Sequence, residues 1–177
     1  LELEGVEIIN PRDPEIQDLV QDFTQDFYLN RHRQGIDLKK ARQLIHQRNY
    51  FAPFMLKAGF ADGMLGGLEL TYPETIRPAL QIIGRKESQS LVMGMYIFLS
   101  KNGPYFLADT TVNKDPSAEQ IIEITLQAAQ MVRGFNIEPH IALLSYSNFG
   151  SNVGEGPDKM KKAASYLHQN HPDIIVD

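Results

Sequence analysis

From residue 60 to its end the chain alternates two kinds of apolar segment, and that alternation limits its fold more than any other feature. Segments 91–100, 105–108, 140–144 and 174–176 are short, rich in β-branched and aromatic residues, and read as strands. Between and around them Ile76, Leu80 and Ile83, then Ile121, Ile124, Ala128 and Val132, then Met160, Ala163, Ala164 and Leu167, recur at the spacing of helices buried on one face. Strands interleaved with helices imply an α/β layered domain with a mixed, largely parallel sheet.

Local signals place the breaks. Lys101-Asn102-Gly103 separates the first two of those strands, and Asn-Gly there predicts an antiparallel hairpin. Ser117 with Gln120 three residues on is a capping box for a long helix that Gly134 stops, and Pro157-Asp158 opens the last helix. The glycine-rich stretch 62–67 reads as one further short strand and 6–9 as another. Pro78 sits inside a helical pattern, where its missing N–H is tolerated only if that group had no helical partner. The helix is therefore expected to begin near Thr75, with Arg77 in its first turn.

Residues 1–57 have a different texture. Asp13-Pro14-Glu15 is a helix start, followed at helical spacing by Ile16, Leu19, Val20, Phe23 and Phe27. Gly35-Ile36-Asp37 restarts a second helix and Phe51, Phe54, Met55 and Ala58 mark a third. The expected organisation is a mostly helical, incomplete end of a first lobe at 1–57 and a second, α/β lobe at 58–177.

Composition removes several function classes. No apolar run approaches the roughly 18 to 20 residues that span a bilayer, and no secretory signal opens the chain. Cysteine is absent, which rules out disulfides and thiolate metal sites and fits a cytoplasmic protein. A net charge of −5 argues against nucleic acid as a partner. The chain starts on Leu1 and stops in a strand-like run at Asp177, so a portion of a longer polypeptide is expected.

Ligands of open α/β sheets bind where strands run into helix N-termini, and three segments occupy such positions. Thr71, Thr75 and Arg77 place two hydroxyls and a guanidinium beside a helix start, which suits phosphate or carboxylate and suits a cap with a surface charge equally well. Asp109, with Thr110, Thr111 and Asn113, puts a carboxylate at a strand end, as a ligand contact or as a tie for its own loop. The third, 145–151, carries Ser145, Ser147, Asn148, Gly150 and Ser151, which could surround an anion or form a turn. No histidine accompanies these serines as a base, and Gly-x-Ser-x-Gly is absent, so no catalytic residue is assigned. His168 and His171 fall at a helix C-terminus without a carboxylate, so no metal site is expected. The basic residues of 31–42 suit a solvated helix face better than a nucleotide phosphate. Neither Gly-x-Gly-x-x-Gly nor a P-loop occurs.

Taken in order, the stretches "FMLKAGFADGMLGG" (54–67), "TYPETIRPALQIIG" (71–84), "YFLADTTVNKDPSAEQ" (105–120) and "HIALLSYSNFGS" (140–151) resemble the phosphate acetyltransferase/butyryltransferase family. The resemblance implies a two-lobed, three-layer α/β/α protein of the isocitrate/isopropylmalate dehydrogenase type, a cleft for acyl-CoA and acyl phosphate, and a homodimer or higher oligomer. It also implies that Thr71, Thr75 and Arg77 belong to a substrate loop, and that a Ser-Arg pair carrying the chemistry lies beyond this chain. Phe149 stands where active transferases of the family tend to carry lysine, and "SYSNFGS" is similar to the transferase-like C-terminal domain of bacterial NADP-dependent malic enzymes. The leading expectation is therefore part of such a domain, binding acetyl-CoA for allosteric regulation and oligomerisation. Its parent would decarboxylate malate with NADP and a divalent metal, Mg or Mn, held elsewhere. The alternative is a stand-alone phosphate acetyl/butyryltransferase moving an acyl group between CoA and phosphate.

Overall fold

A computed structural model describes residues 5–86, 91–147 and 151–177. The chain divides into two compact units, Leu1–Gly84 and Arg85–Asp177.

The first unit is helical. Helix α1 (Gln17–Arg31) follows a 3-10 turn at Pro14–Ile16, and α2 (Leu38–Ile45) starts from Asp37, whose carboxylate accepts from Lys40 N at 2.6 Å. Helices α3 (Arg48–Lys57) and α4 (Tyr72–Ile82) complete it. The core is aromatic: Phe23 stacks on Phe54 with centroids 5.0 Å apart, and Phe27 meets Phe54 and Tyr50 edge-on, with Val20, Ala41, Ile45, Phe51 and Ile82 filling around them. Arg31, one of the basic residues of the 31–42 run, donates to the Gln81 carbonyl at 2.8 Å and so ties α1 to the end of α4. Ile82 completes the core of this unit, so the structural boundary falls after residue 84, beyond the lobe boundary at 57 expected from the change of pattern.

Three local expectations change. Residues 6–9 and 62–67 form no strand. A strand exists through a partner's hydrogen bonds, and neither segment has one among the described residues; Leu65 and Leu68 stand fully exposed. Helix α4 starts at Tyr72, with Thr71 as N-cap, rather than near Thr75. Pro78 accordingly sits within the helix and Arg77 in its second turn. The carbonyl of Glu74, which an N–H at position 78 would have taken, accepts instead from Asn49 Nδ2 of α3 at 2.9 Å. A neighbouring helix thus supplies the bond that proline removes.

The second unit is α/β. Strands β1 (Met95–Ser100) and β2 (Gly103–Ala108) form the expected antiparallel hairpin, pairing Ser100 with Gly103 across the turn. Helix α5 (Ala118–Arg133) carries its capping box, with Gln120 N donating to Ser117 Oγ at 3.3 Å and Ser117 N to Gln120 Oε1 at 2.9 Å. Strand β3 (His140–Ile141) runs parallel to β4 (Ile175–Val176), and α6 (Glu155–Asn170) lies between them in sequence. Leu143 N donates to the Asp177 carbonyl at 2.7 Å and Asp177 N to that of Ile141 at 2.9 Å, which extends the pairing past the strand ends. Ala129, Leu167, Ile174 and Val176 close the core where both helices cover this parallel pair. His168 meets the Val176 carbonyl through Nε2 at 2.7 Å, so it anchors α6 to β4. The α/β class holds; among the described residues the strands form two separate two-stranded sheets, one antiparallel and one parallel, rather than the single mixed sheet expected.

Candidate functional site

In the first unit a cleft of about 590 Å³ opens between the start of α3, the glycine loop and the start of α4. Arg48, Asn49 and Ala52 line it from α3, Met64, Gly66, Gly67 and Leu70 from the loop, and Thr75 from α4. Thr75 Oγ1 donates to the Thr71 carbonyl at 3.2 Å. The carboxylate of Glu74 takes both the hydroxyl of Thr71 (2.6 Å) and its N–H (2.9 Å). Those two bonds, the hydroxyl's first, together with the charge of Arg77, hold the Glu74 carboxyl below the ordinary range. Thr71 is therefore a cap, Thr75 is both a helix residue and a cleft wall, and Arg77 is exposed outside the lining.

Arg48 and Asn49 escape a motif-based reading of the sequence. One signal was available. Arg48 is the first residue of α3, where the helix dipole disfavours a cation, so a cation there needs an anionic neighbour. That neighbour is Glu69, also in the cleft lining, whose carboxylate pairs with the Arg48 guanidinium.

In the second unit Asp109 is enclosed by donors. Its Oδ1 accepts from the N–H groups of Gly94 (2.9 Å), Thr111 (3.0 Å) and Val112 (3.2 Å), and its Oδ2 from Asn113 N (2.7 Å) and Nδ2 (2.5 Å). Burial pushes its pKa up, but the N–H donors outweigh that and hold it down to about 2 from 3.8. A side chain at position 94 would strike Thr111 Oγ1 and come within 3.2 Å of Asp109 Oδ1, so only glycine lets the strands close on this carboxylate. Asp109 ties its loop to the entry of β1.

Ser145, Ser147 and Ser151 come together in the same unit. Ser145 Oγ donates to the Ser147 carbonyl at 3.2 Å and accepts from Ser147 N at 3.1 Å; Ser147 Oγ lies 3.4 Å from Ser151 Oγ and accepts from Asn152 N at 3.1 Å. Their hydroxyls link residues 145–147 to residues 151–152 ahead of α6. Asn148 and Gly150, the other residues expected there, lie outside the described residues, as does Phe149. Among the described residues no three histidine, aspartate or glutamate side chains gather as a metal donor set.

A family model described as phosphate acetyl/butaryl transferase matches residues 1–177. The chain is 34% identical over 177 residues to the phosphate acetyltransferase of Synechocystis sp., covering all of this chain and 25% of that one. To the phosphate acetyltransferase of Bacillus subtilis it is 32% identical over 178 residues, covering all of this chain and 54% of the relative. A phosphotransacetylase structure from Streptococcus pyogenes superposes with a TM-score of 0.76 at 30% identity, over 95% of this chain and 50% of that chain. The chain thus spans from a quarter to about half of these relatives.

Proposed function

The chain belongs to the phosphate acetyl/butaryl transferase family, and from that premise we propose that it is part of an enzyme moving an acyl group between CoA and phosphate. The observation that carries the reading is the match along the whole chain, to relatives that bear the name phosphate acetyltransferase. The 590 Å³ cleft takes Met64 to Gly67 from the stretch 54–67 and Thr75 from 71–84, with residues 68–70 between them and Arg48, Asn49 and Ala52 of α3 completing it. In the reaction the CoA thiolate attacks the acyl carbon, the new C–S bond forms as the C–O bond breaks, and phosphate leaves with the bonding pair. No covalent enzyme intermediate is needed. The protein's part is to hold two anionic reactants in line and to stabilise charge as it moves to phosphate. Thr75, Arg48 and the glycine backbone at 66–67 line the cleft, and their hydroxyl, guanidinium and N–H groups support that reading.

The relatives favour this stand-alone transferase over the regulatory domain of an NADP-dependent malic enzyme. One observation keeps the second reading open: Phe149 in the place of the lysine found in active transferases. The reading also includes a cytoplasmic homo-oligomer. No helix among the described residues is long and apolar enough to cross a membrane. One face of the hairpin carries Tyr96, Phe98, Tyr105 and Leu107, each about half exposed, which is apolar surface suited to a second copy.

The test is acetyl-CoA formation from acetyl phosphate and CoA by the complete gene product, beside malate oxidation titrated with acetyl-CoA. Transfer without malate oxidation supports the first reading. Malate oxidation inhibited by acetyl-CoA, with no transfer, replaces it by the second. Light scattering of the same sample showing only monomers would remove the oligomer.

A further inference from the structure

Of the residues lining the cleft, Arg48 is the one cation and Glu69 the one carboxylate among those described, and they are paired with each other. For a cleft that takes anionic reactants this arrangement is costly unless the pair can open. Both side chains are largely exposed, 76% and 65%, so neither is locked by packing. An exposed pair of this kind is worth at most about 1 kcal/mol, whereas a phosphate brings more than one negative oxygen to the same guanidinium. The N-terminus of α3 adds partial positive charge at the same spot, since Arg48 is its first residue. Arg77, the arginine that the motif pattern singles out, is exposed outside the lining, and its charge acts on Glu74. Among the described residues the cleft therefore has one cation to offer an anion, and an internal carboxylate holds it.

We infer that Arg48 is the phosphate-binding residue of this cleft and that Glu69 is a placeholder which the incoming phosphate displaces. This rests on the acyl-transfer reading for the identity of the substrate, and its ligand chemistry is a phosphate group, from acetyl phosphate or from the phosphates of CoA. Glu69 keeps the guanidinium over the cleft when no substrate is present and competes with substrate for it. Removing the placeholder should then tighten binding, an effect that damage to the fold does not produce.

The experiment compares wild type, Arg48→Gln, Glu69→Gln and the double variant, each as the complete gene product. Calorimetric titrations with CoA and with acetyl phosphate give dissociation constants, and transfer assays give KM and kcat. Arg48→Gln is expected to raise the Kd and KM of at least one reactant about tenfold, with kcat changed less. Glu69→Gln is expected to lower the same constants about two- to fivefold, in line with the small worth of an exposed pair. In the Arg48→Gln background Glu69→Gln should do nothing. Whichever reactant responds identifies the source of the phosphate. An Arg48→Gln effect under twofold on both reactants, or weaker binding in Glu69→Gln, overturns the inference. Wild type that binds these reactants without transferring acetyl sinks the acyl-transfer reading alone, and the binding constants still decide the role of Arg48. Wild type that binds neither sinks both.

Discussion

Glu74 in the first unit and Asp109 in the second are both carboxylates at the junction of a loop with a helix or strand, and they do different work. Glu74 takes two bonds from one residue, Thr71, and stands exposed at the start of α4 beside an open cleft. Asp109 takes five, from Gly94 and from Thr111 to Asn113, so its oxygens are occupied by its own loop and the entry of β1. The difference follows from geometry. A helix cap needs one turn of chain and leaves the carboxylate in water, while the close approach of Gly94 to the 109–113 loop surrounds a carboxylate with N–H donors. Polar residues at strand and helix junctions therefore divide into those that build the loop and those the loop presents, and Asp109 belongs to the first kind.

The largest expected effect breaks that second junction. Asp109→Ala strands five donors and should cost about 2–4 kcal/mol of unfolding free energy, read by urea denaturation. Asp109→Asn separates charge from shape. Because the folded pKa is depressed to about 2 from 3.8, the carboxylate contributes stability that is fully present above the unfolded value and is lost as pH falls through the folded one. The gap between wild type and Asp109→Asn, no more than about 2 kcal/mol for a partly exposed group, should thus hold at neutral pH and close between about pH 4 and pH 2. A gap that persists at pH 2 would show that shape rather than charge holds the loop. The Asn variant, where folded, should bind CoA and acetyl phosphate within twofold of wild type, because Asp109 has no free lone pair to give them.

Gly94→Ala attacks the same junction from the entry of β1. The added methyl meets Thr111 and Asp109, and a loss of about 1–3 kcal/mol is expected, with the two substitutions less than additive because they spoil one contact. Full additivity would mean that Gly94 acts elsewhere.

The first junction yields smaller numbers. Asn49→Ala leaves the Glu74 carbonyl without its cross-helix donor and should cost about 0.5–1.5 kcal/mol. Pro78→Ala restores an N–H at the helical position that can take that carbonyl, so Asn49→Ala should cost measurably less in that background. Equal costs in both backgrounds would show that the 2.9 Å bond carries no stability. Smallest of all is Glu74→Gln. Its folded pKa is lowered, so its contribution exists above the unfolded value of 4.5 and fades as pH falls through the folded one. Full exposure keeps that contribution at the edge of what a thermal melt resolves, and a clear loss of melting temperature would make Glu74 the equal of Asp109.

Several features were legible in the residue order because each depends on a few neighbours. The hairpin follows from Lys101-Asn102-Gly103, the start of α5 from Ser117 and Gln120, the helical texture of the first unit from its apolar spacing, and the family from four stretches in order. These signals are local, and the physics behind them acts within one or two turns of chain. What the residue order left open depended on partners distant in sequence. Helix α4 starts at Tyr72 on the local capping box of Thr71 and Glu74, but that Pro78 is tolerated inside it depends on Asn49, far earlier in the chain, which gives the Glu74 carbonyl the bond that proline removes. Segments 6–9 and 62–67 have the spacing of strands and no partner to make them so. Arg48 pairs with Glu69, and Asp109 takes one of its five bonds from Gly94, just ahead of β1, neither partner being close in sequence. A sequence fixes which residues can cap, turn or carry charge. Tertiary structure decides which of those capacities are already satisfied, because a hydrogen bond or ion pair is used up by whichever group the fold brings within reach.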